Sequence, residues 1–251
     1  MATWKYIVGK SLSNVGNAVL SSQALPLITA IPFGISYPYD IKRFAPGRQF
    51  KTILDVGANV GQTSLFLKNH FPQAEIFAFE PVKETYETLK SNAQTVPNIK
   101  PICCALGAEI GQKAIPIRDN SELNTLVNCS DRDASQTEKT ETITITTLDS
   151  FCKEAGIGKI ELLKMDVQGY ELQVLQGADH FIKNGLIDFI YAEVGFERHN
   201  LECQDFDSLN AFLEDANFRF SGFYEIFRWG SRKQYFGFCN AVFVNRNLEK
   251  M

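Results

Sequence analysis

Long apolar runs are missing from this chain: no stretch approaches the roughly eighteen apolar residues that a membrane-crossing helix needs. Basic charge is not in excess either. Lys and Arg number 25 against 29 Asp and Glu, a net charge of −4, which argues against nucleic-acid binding, since that needs a positive field over the phosphates. Cysteine is unpatterned: Cys103, Cys104, Cys129, Cys152, Cys203 and Cys239 make no Cys-x-x-Cys pair and no zinc spacing. Buried reduced thiols are expected, and with them a cytoplasmic location. At the N-terminus Lys5 and Lys10 stand among apolar residues broken by Ser, Asn and Gly, which disfavours a cleavable signal peptide. There is no internal repeat and no Gly-x-Gly-x-x-Gly fingerprint of dinucleotide binding. The remaining composition, 45% hydrophobic and 22% charged, is that of a globular chain able to bury a full α/β core.

What is present starts at Thr52. Ile53, Leu54 and Val56 suit an interior parallel strand, and Asp55 within that run needs a partner, because an unpaired buried carboxylate is costly. Gly57 and Gly61 frame a tight turn that leaves bare backbone for a ligand, and the next helix, from about Gln62, points free N–H groups at it. A second apolar run, Ile76–Phe79, ends in Glu80-Pro81, where Rossmann-like folds hold ribose hydroxyls. A nucleoside-containing cofactor follows. With Ala58 and Asn59 where a pyrophosphate would need the middle glycine, the turn suits S-adenosylmethionine, which has adenosine, a sulfonium and an amino-acid tail but no phosphate.

Alternation continues along the chain. Strands are expected at 53–56, 75–79, 99–105, 142–147, 160–166 and 187–194, with helices at 62–70, 82–93, 148–155, 170–183 and 206–216. Gly185 is placed as a C-cap and Asp205 as an N-cap. Extended runs at 218–227 and 236–245 close the chain, and residues 128–140 read as a polar surface loop. The fold class is α/β with a doubly wound sheet. Residues 1–50 form a helical and irregular appendage to a domain over 51–251; its stripe of Trp4, Ile7, Val8, Leu12, Val15 and Val19 covers the core, or else docks on a partner or membrane surface.

The chain resembles the FkbM family of S-adenosylmethionine-dependent methyltransferases. The resemblance lies in Asp55-Val56-Gly57-Ala58-Asn59-Val60-Gly61-Gln62-Thr63, Phe79-Glu80-Pro81, Ala105-Leu106-Gly107 and Thr147-Leu148-Asp149. More specific to the family is Leu163-Lys164-Met165-Asp166-Val167-Gln168-Gly169-Tyr170-Glu171, followed by Val174-Leu175-Gln176-Gly177-Ala178. At Gln168 the family often carries Glu, so no role rests on a charge there. The resemblance implies a Rossmann-like class I fold, a mostly parallel seven-stranded sheet whose last strand returns antiparallel in a C-terminal hairpin. It also implies an oxygen acceptor on a sugar, glycolipid or small metabolite.

In such a sheet, residues at strand ends converge. Asp55 and Gly57 are expected at the methionine portion and the Gly57–Gly61 backbone, with Ala58 and Asn59, beneath the methionine and ribose. Glu80, beside Pro81, is expected on both ribose hydroxyls, and Cys104, Ala105 and Leu106 around the adenine. Asp166 closes the fourth strand of the main alternation, near the transferred methyl; it can favour the cofactor's sulfonium electrostatically as a cofactor-binding residue, orient the acceptor, take its proton, or merely hold the strand–helix turn through backbone N–H groups. Glu193 ends the neighbouring strand and His199 follows. These three form an acid/base set or a divalent-metal site; no metal is expected. Glu171 is expected to stabilise a helix N-terminus, and His70 and His180 to be solvated helix histidines. Trp229 and Tyr235 either pack in the hairpin or touch a ring-containing substrate. A nucleotide-dependent oxidoreductase and a non-catalytic binding module are the rival functions.

Overall fold

The computed structural model describes residues 31–117, 126–127, 140–197 and 203–250. Helix α1 (Tyr37–Phe44) precedes β1 (Thr52–Val56), α2 (Gln62–His70), β2 (Glu75–Phe79), α3 (Lys83–Ala93) and β3 (Ile99–Ile102). Then come β4 (Ala105–Leu106), β5 (Gly111–Pro116), β6 (Thr140–Thr146), α4 (Leu148–Ala155) and β7 (Ile160–Met165). Helices α5 (Glu171–Gln176) and α6 (Asp179–Lys183) lead to β8 (Ile187–Gly195) and α7 (Phe206–Asp215). The chain finishes with β9 (Phe218–Tyr224), β10 (Arg228–Trp229), β11 (Tyr235–Phe236), β12 (Phe238–Asn245) and a 3-10 turn, Arg246–Lys250.

Seven strands form the main sheet in the order β3-β2-β1-β7-β8-β12-β9. The first five run parallel, and β12 lies antiparallel between β8 and β9. The doubly wound sheet with its antiparallel hairpin is therefore present. Every residue of β7 and β8 is buried, which is why both read as strongly apolar runs. One face packs Leu163, Ile190 and Phe243 under α4 to α7; the other packs Ile53, Leu162, Phe189 and Tyr191 under α1 to α3. Strand order reverses between β1 and β7, and the crevice beyond their carboxyl ends is where ligands of such sheets bind.

Three expectations need correction. The helix expected over 170–183 is two helices, because Gly177 passes so close to Gly107 that a Cβ there would sit 2.0 Å from the Gly107 carbonyl oxygen. Asp149 caps the second piece, accepting from the His180 N–H at 2.7 Å. The strand expected over 99–105 breaks after Ile102, so Cys103 and Cys104 are not paired in a strand, and Cys103 is exposed. The chain then crosses to a separate three-stranded sheet, β4-β6-β5, which also takes the segment expected at 142–147. Asp205 does cap α7, accepting from the Ser208 N–H at 2.9 Å. The stripe over residues 4–19, Cys129 and His199 lie outside the described residues, as does nearly all of the polar loop. Among the described residues no helix is long and apolar enough to cross a membrane.

Candidate active site

The turn after β1 is tied to the two strands flanking it. The Gly57 and Ala58 N–H groups donate to the Phe79 carbonyl at the end of β2, and the Asp166 N–H donates to the Val56 carbonyl at 3.0 Å. Gly57 has φ +77, and a Cβ there would lie 1.9 Å from the Asp166 carbonyl oxygen; at Gly61, φ +93, it would meet Leu89 at 2.7 Å. Both glycines therefore owe their bareness to protein neighbours. Whatever bare backbone the turn offers a ligand lies on its other side. Asn59, at φ +49, turns its N–H onto Glu80 Oε2 at 3.1 Å, while the Val82 N–H holds Oε1 at 2.9 Å. Glu80 is a buried carboxylate seated on two backbone donors, and each oxygen keeps a lone pair for a further donor. Burial pushes its pKa up to about 7, against the pull of those two N–H bonds.

Asp55 is fully enclosed, with Ser64 and Lys164 against its carboxylate. Ser64 Oγ donates to Oδ2 at 2.6 Å, and the Lys164 ammonium lies 2.9 Å from Oδ1. The Lys164 contact is a buried ion pair in which charge attraction and a short N–H···O approach act together. The two residues are register partners on β1 and β7. Lys164 Nζ also donates to the Gly57 carbonyl at 3.1 Å and stands 3.8 Å from Asp166 Oδ2. Burial pulls the ammonium down, but Asp55, Asp166 and Glu193 outweigh it and the net shift is upward. One buried cation thus joins the glycine turn to the tip of β7.

Asp166 and Glu193 meet around one amide. Gln168 Nε2 lies 3.0 Å from Asp166 Oδ1 and 3.4 Å from Glu193 Oε1. Among the described residues no backbone N–H bonds to the Asp166 carboxylate to hold the turn. That work falls to Glu171, whose Oε1 accepts the Val167 N–H at 3.0 Å and whose pKa burial raises to about 7. Farther along β8, Tyr191 donates to Glu225 at 3.0 Å, and Asn240, the register partner of Glu193, reaches the same carboxylate at 3.3 Å. Tyr37 stacks on Tyr191 with ring centroids 3.8 Å apart.

A profile of the FkbM methyltransferase domain matches residues 55–220, which span β1 through β9 and include every site residue described above up to Glu193. The chain belongs to the FkbM methyltransferase family. "Methyltransferase 1" of Beauveria bassiana is 28% identical over 72% of this chain and 76% of that protein. "Methyltransferase sdnD" of Sordaria araneosa is 32% identical over 56% of this chain, and "Hexuronic acid methyltransferase AglP" of Haloferax volcanii 26% identical over 56%. The chain spans only 64% and 54% of those two proteins.

The residues of this FkbM methyltransferase fit S-adenosylmethionine, the cofactor expected from the sequence. Glu80 offers two acceptor oxygens at the tip of β2 and the turn after β1 runs into a helix N-terminus, as a nucleoside without phosphate requires. Around the expected adenine side the three residues differ. Cys104 is half-buried, whereas Ala105 and Leu106 turn into the second sheet and Leu106 has no exposed surface. His180 is exposed, but His70 is buried against Phe66 and Tyr39; burial, then Lys42, lowers its pKa to about 4, so it is neutral rather than solvated. Trp229 and Tyr235 pack on each other at 4.7 Å on the exposed β10–β11 ribbon. Among the described residues no three His, Cys, Asp or Glu side chains are grouped to hold a metal.

The roles of Lys164 and Ser64 were not expected from the sequence. Lys164 had a usable signal, a lysine in an apolar strand beside a strand carrying a buried aspartate.

A pH dependence follows from Glu80. With Glu80 on the two ribose hydroxyls, as the sequence leads one to expect, two acceptor oxygens are needed, so the ionised form would be the binding one, and its share rises through a midpoint near 7. S-adenosylhomocysteine affinity is expected to rise about tenfold from pH 6 to pH 8. In Glu80→Gln the affinity should be lower and flat with pH; calorimetry at four pH values checks both.

Proposed function

We propose that the protein methylates a hydroxyl oxygen of a sugar, glycolipid or small metabolite. The observation that carries this is the convergence of Asp166 and Glu193 at adjacent strand tips, bridged by the Gln168 amide. Two carboxylates there present only acceptor oxygens to an incoming group, which suits an acceptor that arrives with an O–H. The hexuronic acid methyltransferase named among the relatives supports a sugar-like acceptor. The acidic balance of the chain, −4 overall, favours a small molecule or glycan over nucleic acid.

Bound S-adenosylmethionine supplies an electrophilic methyl group on its sulfonium. Glu80 and the Gly57–Gly61 turn, with Ala58, Asn59 and Pro81, hold the nucleoside and amino-acid portions, and Cys104, Ala105 and Leu106 border the adenine. Asp166 aligns the acceptor hydroxyl and takes its proton as the oxygen loses it, with Glu193 beside it as a second hydrogen-bond acceptor. Lys164 fixes the direction of Asp166 without entering the reaction.

Incubating the protein with S-adenosylmethionine and pooled hydroxylated acceptors should yield S-adenosylhomocysteine above the acceptor-free rate. The product's new methyl should map to oxygen by NMR; a methyl on nitrogen or carbon would overturn the assignment. Turnover in that assay is expected to survive EDTA unchanged. Loss with EDTA and recovery with magnesium would mean that a metal orients the hydroxyl instead.

A further inference from the structure

The turn between β7 and α5 is built against the conformational preference of its residues. Gln168 has φ +53, the left-handed region that a side chain disfavours, and Gly169 follows at φ +88. Three contacts enforce this shape: the Asp166 N–H bonds Val56, the Val167 N–H bonds the buried Glu171, and Gly57 packs bare against the Asp166 carbonyl. The shape delivers the Gln168 amide to the gap between Asp166 and Glu193. An amide nitrogen has two hydrogens, one for each carboxylate, whereas a carbonyl in the same place would set three acceptors against one another. The charged and titratable groups around this gap are Lys164 on β7 and Asp55 behind it on β1, Glu171 on α5, Tyr191 with Glu225 beside β8, and the thiols of Cys203 and Cys239, both raised by burial and then by Glu193.

We propose that Gln168 is a positioning residue for methyl transfer: its amide holds Asp166 and Glu193 side by side as separate acceptors facing the incoming hydroxyl. This rests on the hydroxyl methylation proposed above. Two close carboxylates without a donor between them compete to share one proton, and a shared proton removes an acceptor from the pair. A neutral amide prevents this without adding charge. A glutamate in this place would supply an equivalent donor only when protonated.

The test needs no acceptor. Carbon-13 carboxyl NMR of the S-adenosylhomocysteine complex follows Asp166 and Glu193 through a pH titration in the wild type, Gln168→Leu and Gln168→Asn. In Gln168→Leu the upper of the two macroscopic midpoints is expected to rise by about one pH unit. Gln168→Asn keeps an amide and tolerates the left-handed backbone, so its shift should be clearly smaller. Cofactor affinity should stay within about twofold in all three, because the amide faces the acceptor side. Once an acceptor is in hand, Gln168→Glu should show its largest loss of turnover at alkaline pH, narrowing as the pH falls. Unchanged midpoints in Gln168→Leu, or a Gln168→Glu pH profile parallel to the wild type, would overturn the assignment. Should Gln168→Leu not fold, the Asn and Glu variants decide on the same criteria. Failure of the wild type itself to bind S-adenosylhomocysteine would instead remove the cofactor-site assignment, a separate outcome.

Discussion

Asp166→Asn is expected to bind S-adenosylhomocysteine as tightly as the wild type and to lose turnover by about a hundredfold or more, the usual contribution of a positioned acid–base group. The side chain is partly open at the tip of β7 and touches Gln168 and Lys164 rather than backbone N–H groups. Asparagine preserves shape and one acceptor oxygen, so the fold has little reason to respond. The deficit should appear in kcat rather than in KM, because the proton is lost as the methyl moves. Melting temperature, cofactor affinity and turnover on one preparation settle the matter. A fall in melting temperature with normal turnover would move Asp166 to a purely structural role and leave Glu193 as the base among the described residues.

Lys164→Met is expected to damage the fold itself. Removing the ammonium leaves Asp55 with no exposed surface and, among the described residues, only Ser64 as a hydrogen-bonded partner. Breaking a buried pair from one side costs about 3–5 kcal/mol, which for a chain of this size lowers the melting temperature by roughly 10 °C. The double variant Lys164→Met, Asp55→Asn removes the stranded charge as well and should recover a good part of that loss. Equal melting temperatures for wild type and Lys164→Met would show that the pair contributes nothing. Cofactor binding should weaken in the single variant too, since the same ammonium holds the Gly57 carbonyl.

Legibility in the sequence followed physical cause. Strands β1, β2, β7 and β8 were readable because interior parallel strands are apolar on both faces, and the helices between them by period and caps. Asp55 announced that it needed a partner, but the partner's identity depends on strand register, and Lys164 lies 109 positions away at the matching rung. The break at Gly177 was hidden because its cause, the Gly107 carbonyl, comes from another element. The three-stranded sheet was hidden as well: β4 is two residues long and β5 buries one residue of six, so neither has a pattern to detect. The meeting of Asp166 with Glu193 was foreseeable from neighbouring strand ends, but the amide that joins them was not. A left-handed glutamine leaves no mark in sequence.

Strand β12, late in the chain, takes an inner place between β8 and β9. During synthesis β8 therefore emerges from the ribosome with one edge unpaired, and it stays so until Phe238–Asn245 arrives. For that interval a nine-residue strand that the folded protein buries throughout is an open template for another nascent chain. A chain cut before Phe238 would keep that edge permanently and lose the anchor of β9. The expected fate of such a fragment is precipitation rather than a smaller working enzyme.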